Sequence, residues 1–269
     1  MTQTRKLVLL ASLLLSASMP AAAAYSWAFD SGSGKCSVPN STTSSCTVTS
    51  AGPTVTATMY SNTNGSGANS DLYTLETGYM GVYSGGIGEH NKDGCSSGSS
   101  CDVGDLYSSA PEHAIDNDQR YDSVLLNFGT SVKLNSLSIG WKGTDSDMTV
   151  LAYTGTGTCV ATSTCSATLA GKKYSDLTNS GWSLIGHYAD VALNAVTGIN
   201  GGNVSSSYWL IGAFNPLVGG STTGFDSFRN DAIKLKSIAA DVPGKVPEPA
   251  SLLLVGLGLA AAARFSRRA

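Results

Sequence analysis

Hydrophobic and polar positions alternate over most of the chain. Tyr25, Trp27 and Phe29 alternate with Ser26 and Ala28, the period-two pattern of a half-buried strand. Short strands are predicted at 47–49 and 54–60, around Gly52-Pro53, followed by a polar loop at 61–70 that contains Asn64-Gly65. Residues 72–82 are mixed and fit one short helix or strand, and 84–105 read as a long glycine-serine loop. The clearest pattern begins beyond Pro111. Residues 123–128 predict a strand with a buried centre, and 129–131 a turn. Val132 and Leu134 alternate with Lys133, then Leu137, Ile139 and Trp141 alternate with Ser138 and Gly140. The phase slips by one residue at Asn135-Ser136, where a β-bulge or tight bend would restore the inward face. Further strands are predicted at 148–153, 182–188, 208–214 and 232–238. About ten strands with almost no amphipathic helix predict an all-β fold, an antiparallel β-sandwich of two sheets packed face to face.

The two ends of the sequence break this pattern. Arg5 and Lys6 precede an apolar run from Leu7 to Ala17, then Pro20 and four alanines at 21–24. That order is a secretory signal peptide, with cleavage expected after Ala24 by a signal peptidase. At the other end, Val246-Pro247-Glu248-Pro249 leads into an uncharged run rich in Leu, Gly and Ala at 250–263, closed by Arg264, Arg267 and Arg268. Fourteen helical residues rise roughly 21 Å against a hydrocarbon core of about 30 Å. This predicts a short hydrophobic helix able to hold the inner membrane transiently, its arginines on the cytoplasmic side. The expected organisation is a signal peptide at 1–24, a β-sandwich body at 25–243 and a tail at 244–269.

The tripartite tail resembles the PEP-CTERM sorting signal of Gram-negative bacteria. Pro247, Glu248 and Pro249, the glycine-containing apolar helix and Arg264, Arg267 and Arg268 occur in that family's order. The resemblance covers about the last 24 residues. It implies recognition by an exosortase, a membrane-embedded cysteine peptidase, and removal of the tail near the motif. The family's association with exopolysaccharide and biofilm implies a cell-surface or extracellular destination. The body is also similar to a group of exosortase-dependent surface proteins. That similarity is carried by 25–29, 113–117, Gly140-Trp141 with Asp145-Ser146-Asp147, Gly181-Trp182 and 207–212; it supports location and assigns no catalytic residue. Residues 113–153, where a strand ending in Phe128-Gly129 leads into one ending near Trp141, are similar to a galactose-binding-like jelly roll. That analogy concerns fold and says little about ligand.

Charge sharpens the picture. Residues 25–249 keep 11 of the 16 basic residues and all 19 acidic ones, a net charge of about −8. Such a body argues against nucleic acid or anionic membrane as a partner and leaves cations open. The six cysteines fall in three close couples, and sequential pairing, Cys36–Cys46, Cys95–Cys101 and Cys159–Cys165, suits stapled loops in an oxidising compartment. No couple has the tighter CxxC-like spacing usual in zinc sites.

Candidate chemistry is sparse. Gly94-Cys95-Ser96-Ser97-Gly98 matches the G-x-S-x-G pattern but lies in a loop, without the strand before and helix after that a nucleophile elbow requires. His90, His113 and His187 are scattered, and capping or surface roles are the plainer reading of each. Asp116-Asn117-Asp118 with Asp122, and Asp145-Ser146-Asp147, precede strands. Closely spaced carboxylates in a turn can surround a hard cation such as Ca²⁺, with Asp116, Asp118 and Asp122 the favoured ligands. The same residues also favour turns simply by bonding their own backbone. Trp27, Trp141, Trp182 and Trp209 read as core; Tyr79, Tyr83 and Tyr107 are equally plausible sugar contacts. The reading is a non-catalytic exported surface or biofilm-matrix protein without a cofactor. The alternatives are a carbohydrate-binding module acting on exopolysaccharide and, less favoured, a secreted hydrolase.

Overall fold

This computed structural model describes residues 23–31, 36, 43–66, 69–92, 113–155, 166–226 and 229–242. The expectations for the export signal as far as residue 22, for Cys95, Cys101, Cys159 and Cys165, for Tyr107 and for the tail and its helix lie outside them. The compact unit spans Ala24–Val242. Among the described residues no helix is long and apolar enough to cross a membrane.

Among the described residues thirteen strands follow one another. They are β1 (Ala23–Ala28), β2 (Ser45–Val48), β3 (Val55–Asn64), β4 (Thr74–Thr77), β5 (Tyr79–Tyr83), β6 (Gly86–His90) and β7 (Ile115–Asp116). Then come β8 (Asp122–Lys142), β9 (Met148–Tyr153), β10 (Trp182–Tyr188), β11 (Thr197–Gly198), β12 (Ser206–Ala213) and β13 (Ala232–Val242). Single 3-10 turns occur at Ser70–Leu72, Tyr174–Asp176 and Pro216–Val218. The described residues are mostly β with few helical turns, as the alternation predicts.

β8 is the spine. Its first half pairs antiparallel with β3 on one side and β12 on the other. Its second half pairs with β13 and β11. Because β8 takes part in both sets, the hydrogen bonds form one connected sheet, ordered β10-β9-β12-β8-β13-β6-β5, instead of the two separate sheets expected from sequence. The turn expected at 129–131 is a kink inside this strand. Gly129 takes a φ of 62° and its N–H donates to Asn127 Oδ1 at 2.9 Å. The phase slip is a bulge: Leu134 opposes Ala240 and Ser136 opposes Ala239, leaving Asn135 as the extra residue. Leu134 and Leu137 both stay buried as a result.

The main core takes Val124, Leu126 and Phe128 from one half of β8 and Leu134, Leu137 and Ile139 from the other, around Trp27 and Trp209. Cys36 and Cys46, joined by a disulfide, are buried in the same cluster. A second cluster covers the opposite face of β9 and β12, where Leu151, Trp182 and Leu210 meet Leu169, Tyr174 and Leu177. Burial on both faces explains why 208–214 reads as an almost unbroken apolar run.

Two stretches differ from expectation. β3 runs on to Asn64 through residues read as loop, because Ser61, Asn62 and Thr63 are buried and the Asn62 and Thr63 side chains bond inside the protein. β6 occupies the start of the expected long loop, with every residue buried. Its glycines allow close backbone approach: a Cβ at Gly88 would meet the His113 carbonyl, and one at Gly86 the Leu235 carbonyl.

The topology gathers several strand ends at one edge. The starts of β8, β9 and β13 lie beside the end of β12, with Gly212 opposite Ser123 and Ala213 opposite Met148. β7 pairs with the start of β13, Asp116 facing Ala232. The loops leaving these ends build the site described next.

Candidate functional site

Asn117 ties three of these loops together. Its Nδ2 donates to the Phe214 carbonyl at 2.9 Å and to Asp231 Oδ2 at 2.7 Å, while its Oδ1 accepts from the Asp231 N–H at 3.0 Å. Asp231 Oδ1 accepts from the Asp147 N–H, and Asp147 Oδ1 from the Asp190 N–H, both at 2.7 Å. Asn62 braces the loop from below: it donates to the Ser70 carbonyl at 2.8 Å and accepts from the Tyr121 N–H at 2.7 Å. Buried amides that both donate and accept fix a backbone more tightly than apolar contact alone.

This frame encloses a cleft of about 330 Å³, at the lower end of small-molecule sites. One wall is aromatic. Phe225 stacks on buried Phe214, with centroids 4.6 Å apart and planes 9° from parallel, and Tyr121 lines the same cleft. The other wall is polar. Arg229 donates to Asp71 Oδ1 at 2.6 Å and lays its guanidinium over the Tyr121 ring at 4.9 Å. Its backbone sits at a φ of 54°, a left-handed conformation uncommon for a side chain of this size. The pair is about a third exposed, so it sets orientation more than stability. Asp226 completes the lining.

Beside the cleft, carboxylate oxygens of Asp145, Asp147 and Asp190 lie within 4.8 Å of one another. Burial raises the pKa of Asp147, against the hydrogen bond from Asp190, and the charges of Asp145, Asp190 and Asp226 add to the rise. Asp231 is pushed up to about 7, first by burial and then by the charges of Asp147 and Asp145, although both of its oxygens accept hydrogen bonds that favour the ionised form. Burial also raises Asp118, offset in part by Arg229.

The structure sorts the sequence candidates. Asp116, Asp118 and Asp122 are not gathered into a three-carboxylate group. Asp116 Oδ1 instead accepts the Asp118 N–H at 2.9 Å and closes a turn, while buried Asp122 opens β8. The group that does converge takes Asp145 and Asp147 from the second acidic run and adds Asp190, which lies 43 residues beyond Asp147 and carries no local signal. His90 and His113 stack with centroids 3.7 Å apart, and His90 Nε2 pairs with the Tyr83 hydroxyl at 3.0 Å. His187 stands elsewhere, its Nδ1 paired with Thr149 Oγ1 at 2.8 Å and its Nε2 donating to the Gly219 carbonyl at 2.9 Å. Tyr79 lies beneath Lys92, 5.4 Å from its ring, and Tyr83 under Lys234 at 4.4 Å. Trp27, Trp182 and Trp209 are buried; Trp141 is half-buried, with Lys234 4.6 Å from its ring. The cleft residues Tyr121, Phe225, Asp226 and Arg229 were not singled out from sequence. Their signal is an aromatic and charged segment, 225–231, set directly after the glycine-threonine stretch 219–224.

Residues 245–268 match the PEP-CTERM protein-sorting motif. No curated protein and no solved structure matches the chain.

Proposed function

We propose that this chain is a non-catalytic protein of the cell surface or biofilm matrix. The sorting motif carries the reading: it marks an exported chain that passes through a membrane-transient stage and is processed by an exosortase. The motif is built on Pro247, Glu248 and Pro249. The apolar run that follows is short for a permanent anchor, and Arg264, Arg267 and Arg268 keep its end cytoplasmic. We read the body as a jelly-roll-like β-sandwich, supported by a core drawn from both halves of β8. A structural role fits His187, whose paired hydroxyl on Thr149 is buried and also accepts the Asn215 N–H at 2.9 Å.

Intact mass of the protein recovered from the producing cell's surface tests the sorting reading. The expected mature species lacks the first 24 residues and the terminal hydrophobic segment. Replacing Pro247, Glu248 and Pro249 with alanine should block the C-terminal cut. Unchanged processing and destination in that variant would refute the reading. Turnover in a broad hydrolase screen, lost on His113→Ala or His187→Ala, would refute the non-catalytic part.

A further inference from the structure

We propose that Asn64 is a site of spontaneous covalent modification, its side-chain amide converting to a mixture of aspartate and isoaspartate. This goes beyond the sorting reading and does not depend on it. The sequence holds two Asn-Gly steps, Asn64-Gly65 and Asn200-Gly201. Glycine after asparagine leaves the following amide nitrogen unshielded by a side chain. That nitrogen attacks the asparagine Cγ, a five-membered succinimide closes and ammonia leaves. Water then opens the ring at either carbonyl. The product is aspartate, or a backbone that runs through the former side chain. One water enters, one ammonia departs, and nothing is oxidised or reduced.

The structure separates the two steps. Asn200 is buried and its amide is held at both ends, Nδ2 donating to the Val204 carbonyl and Oδ1 accepting from the Val204 N–H, each at 2.9 Å. Its Cγ cannot swing toward the Gly201 nitrogen without breaking both bonds. Asn64 is exposed at the end of β3, and among the described residues its side chain makes no hydrogen bond. The Gly65 N–H donates to the Thr63 carbonyl at 3.0 Å, a bond across two residues at a strand end, where local opening costs least. The fold also keeps the glycine in place. A Cβ on Gly65 would stand 2.5 Å from Cγ of the buried Tyr73, so no shielding side chain fits there without displacing that ring. Asn64 faces Thr74 of β4, whose hydroxyl donates to the Asn64 carbonyl at 3.2 Å. In the isoaspartyl product that carbonyl becomes a free carboxylate and the chain gains a methylene. The change falls two residues from Asn62, which braces the Tyr121 backbone.

The test incubates the mature secreted protein, folded and in urea, in water enriched in heavy oxygen at pH 8 and at pH 5. Peptide mapping by mass spectrometry then reads the label taken up at each asparagine, and chromatography resolves isoaspartyl from aspartyl peptides. In the folded protein Asn64 is expected to convert at least about tenfold faster than Asn200, which must first open locally. In urea the two rates should converge, because both steps then have the same bare chemistry. Conversion should be faster at pH 8, where more of the attacking nitrogen is deprotonated. Equal rates at Asn64 and Asn200 in the folded protein would overturn the proposal. So would label at Asn64 without isoaspartate, which would mean direct hydrolysis, or an Asn64 that reacts in urea and stays intact when folded. None of these results would touch the processing of the C-terminus.

Discussion

Asp231 shows how one side chain can carry both architecture and pH dependence. Its oxygens receive the Asp147 N–H and the Asn117 amide, and its own N–H donates to Asn117, so it locks β13 to the loops before β8 and β9. Its pKa lies at about 7 in the folded protein, against about 3.9 for an unfolded aspartate. Between those values the native state holds a proton that the unfolded chain has released. Stability is therefore fully present below about pH 4 and is lost as pH rises through 7, by an amount on the order of a few kcal/mol. The raised values of Asp147 and Asp118 act in the same direction. Scanning calorimetry should show a lower melting temperature at pH 7.5 than at pH 5. Asp231→Asn should flatten that dependence, and a slope equal to wild type would rule Asp231 out as its source. Little of this was legible in the sequence. Asp116-Asn117-Asp118 stood out as an acidic run, but Asn117's main partner is 114 residues away, and no local pattern reports such a pairing.

Strands were legible where one face is buried and the other is not. β9 and β10 end where alternation and apolar content place them, and the bulge at Asn135 was readable because a phase slip in a strand flips every later side chain. β6 was not legible. Glycine-rich Gly86–His90 looks like loop because the feature that makes it a strand, close approach of neighbouring backbone, leaves no hydrophobic signature. Gly86 combines a φ of 121° with the Leu235 carbonyl 2.2 Å from where a Cβ would stand. Gly86→Ala should cost about 3 kcal/mol or more, measured by urea denaturation, since neither the backbone conformation nor the space can accept a methyl group. A loss below 1 kcal/mol would mean that β6 is not packed as described. The same blindness hid the end of β3, where polar Asn62 is buried for the bonds that it makes to Ser70 and Tyr121.

At the scale of the whole molecule, the chemistry that sequence made plain lies in the tail, and the chemistry that structure adds lies in the body. The sorting motif is contiguous and could be read in one pass. The cleft is assembled from segments near residues 71, 117–121, 214–217, 222–226 and 229, which meet only because β3, β8, β12 and β13 bring their ends to one edge. The kinked spine also has a mechanical meaning. A strand that pairs with β3, β12, β13 and β11 ties both halves of the body together, so heat or denaturant should melt it in a single transition, with fluorescence and circular dichroism superimposing. Proteolytic nicking at the exposed Thr130–Ser131 step would then not release two folded halves. An exported chain built this way would acquire its shape all at once, with no half-finished form to shelter.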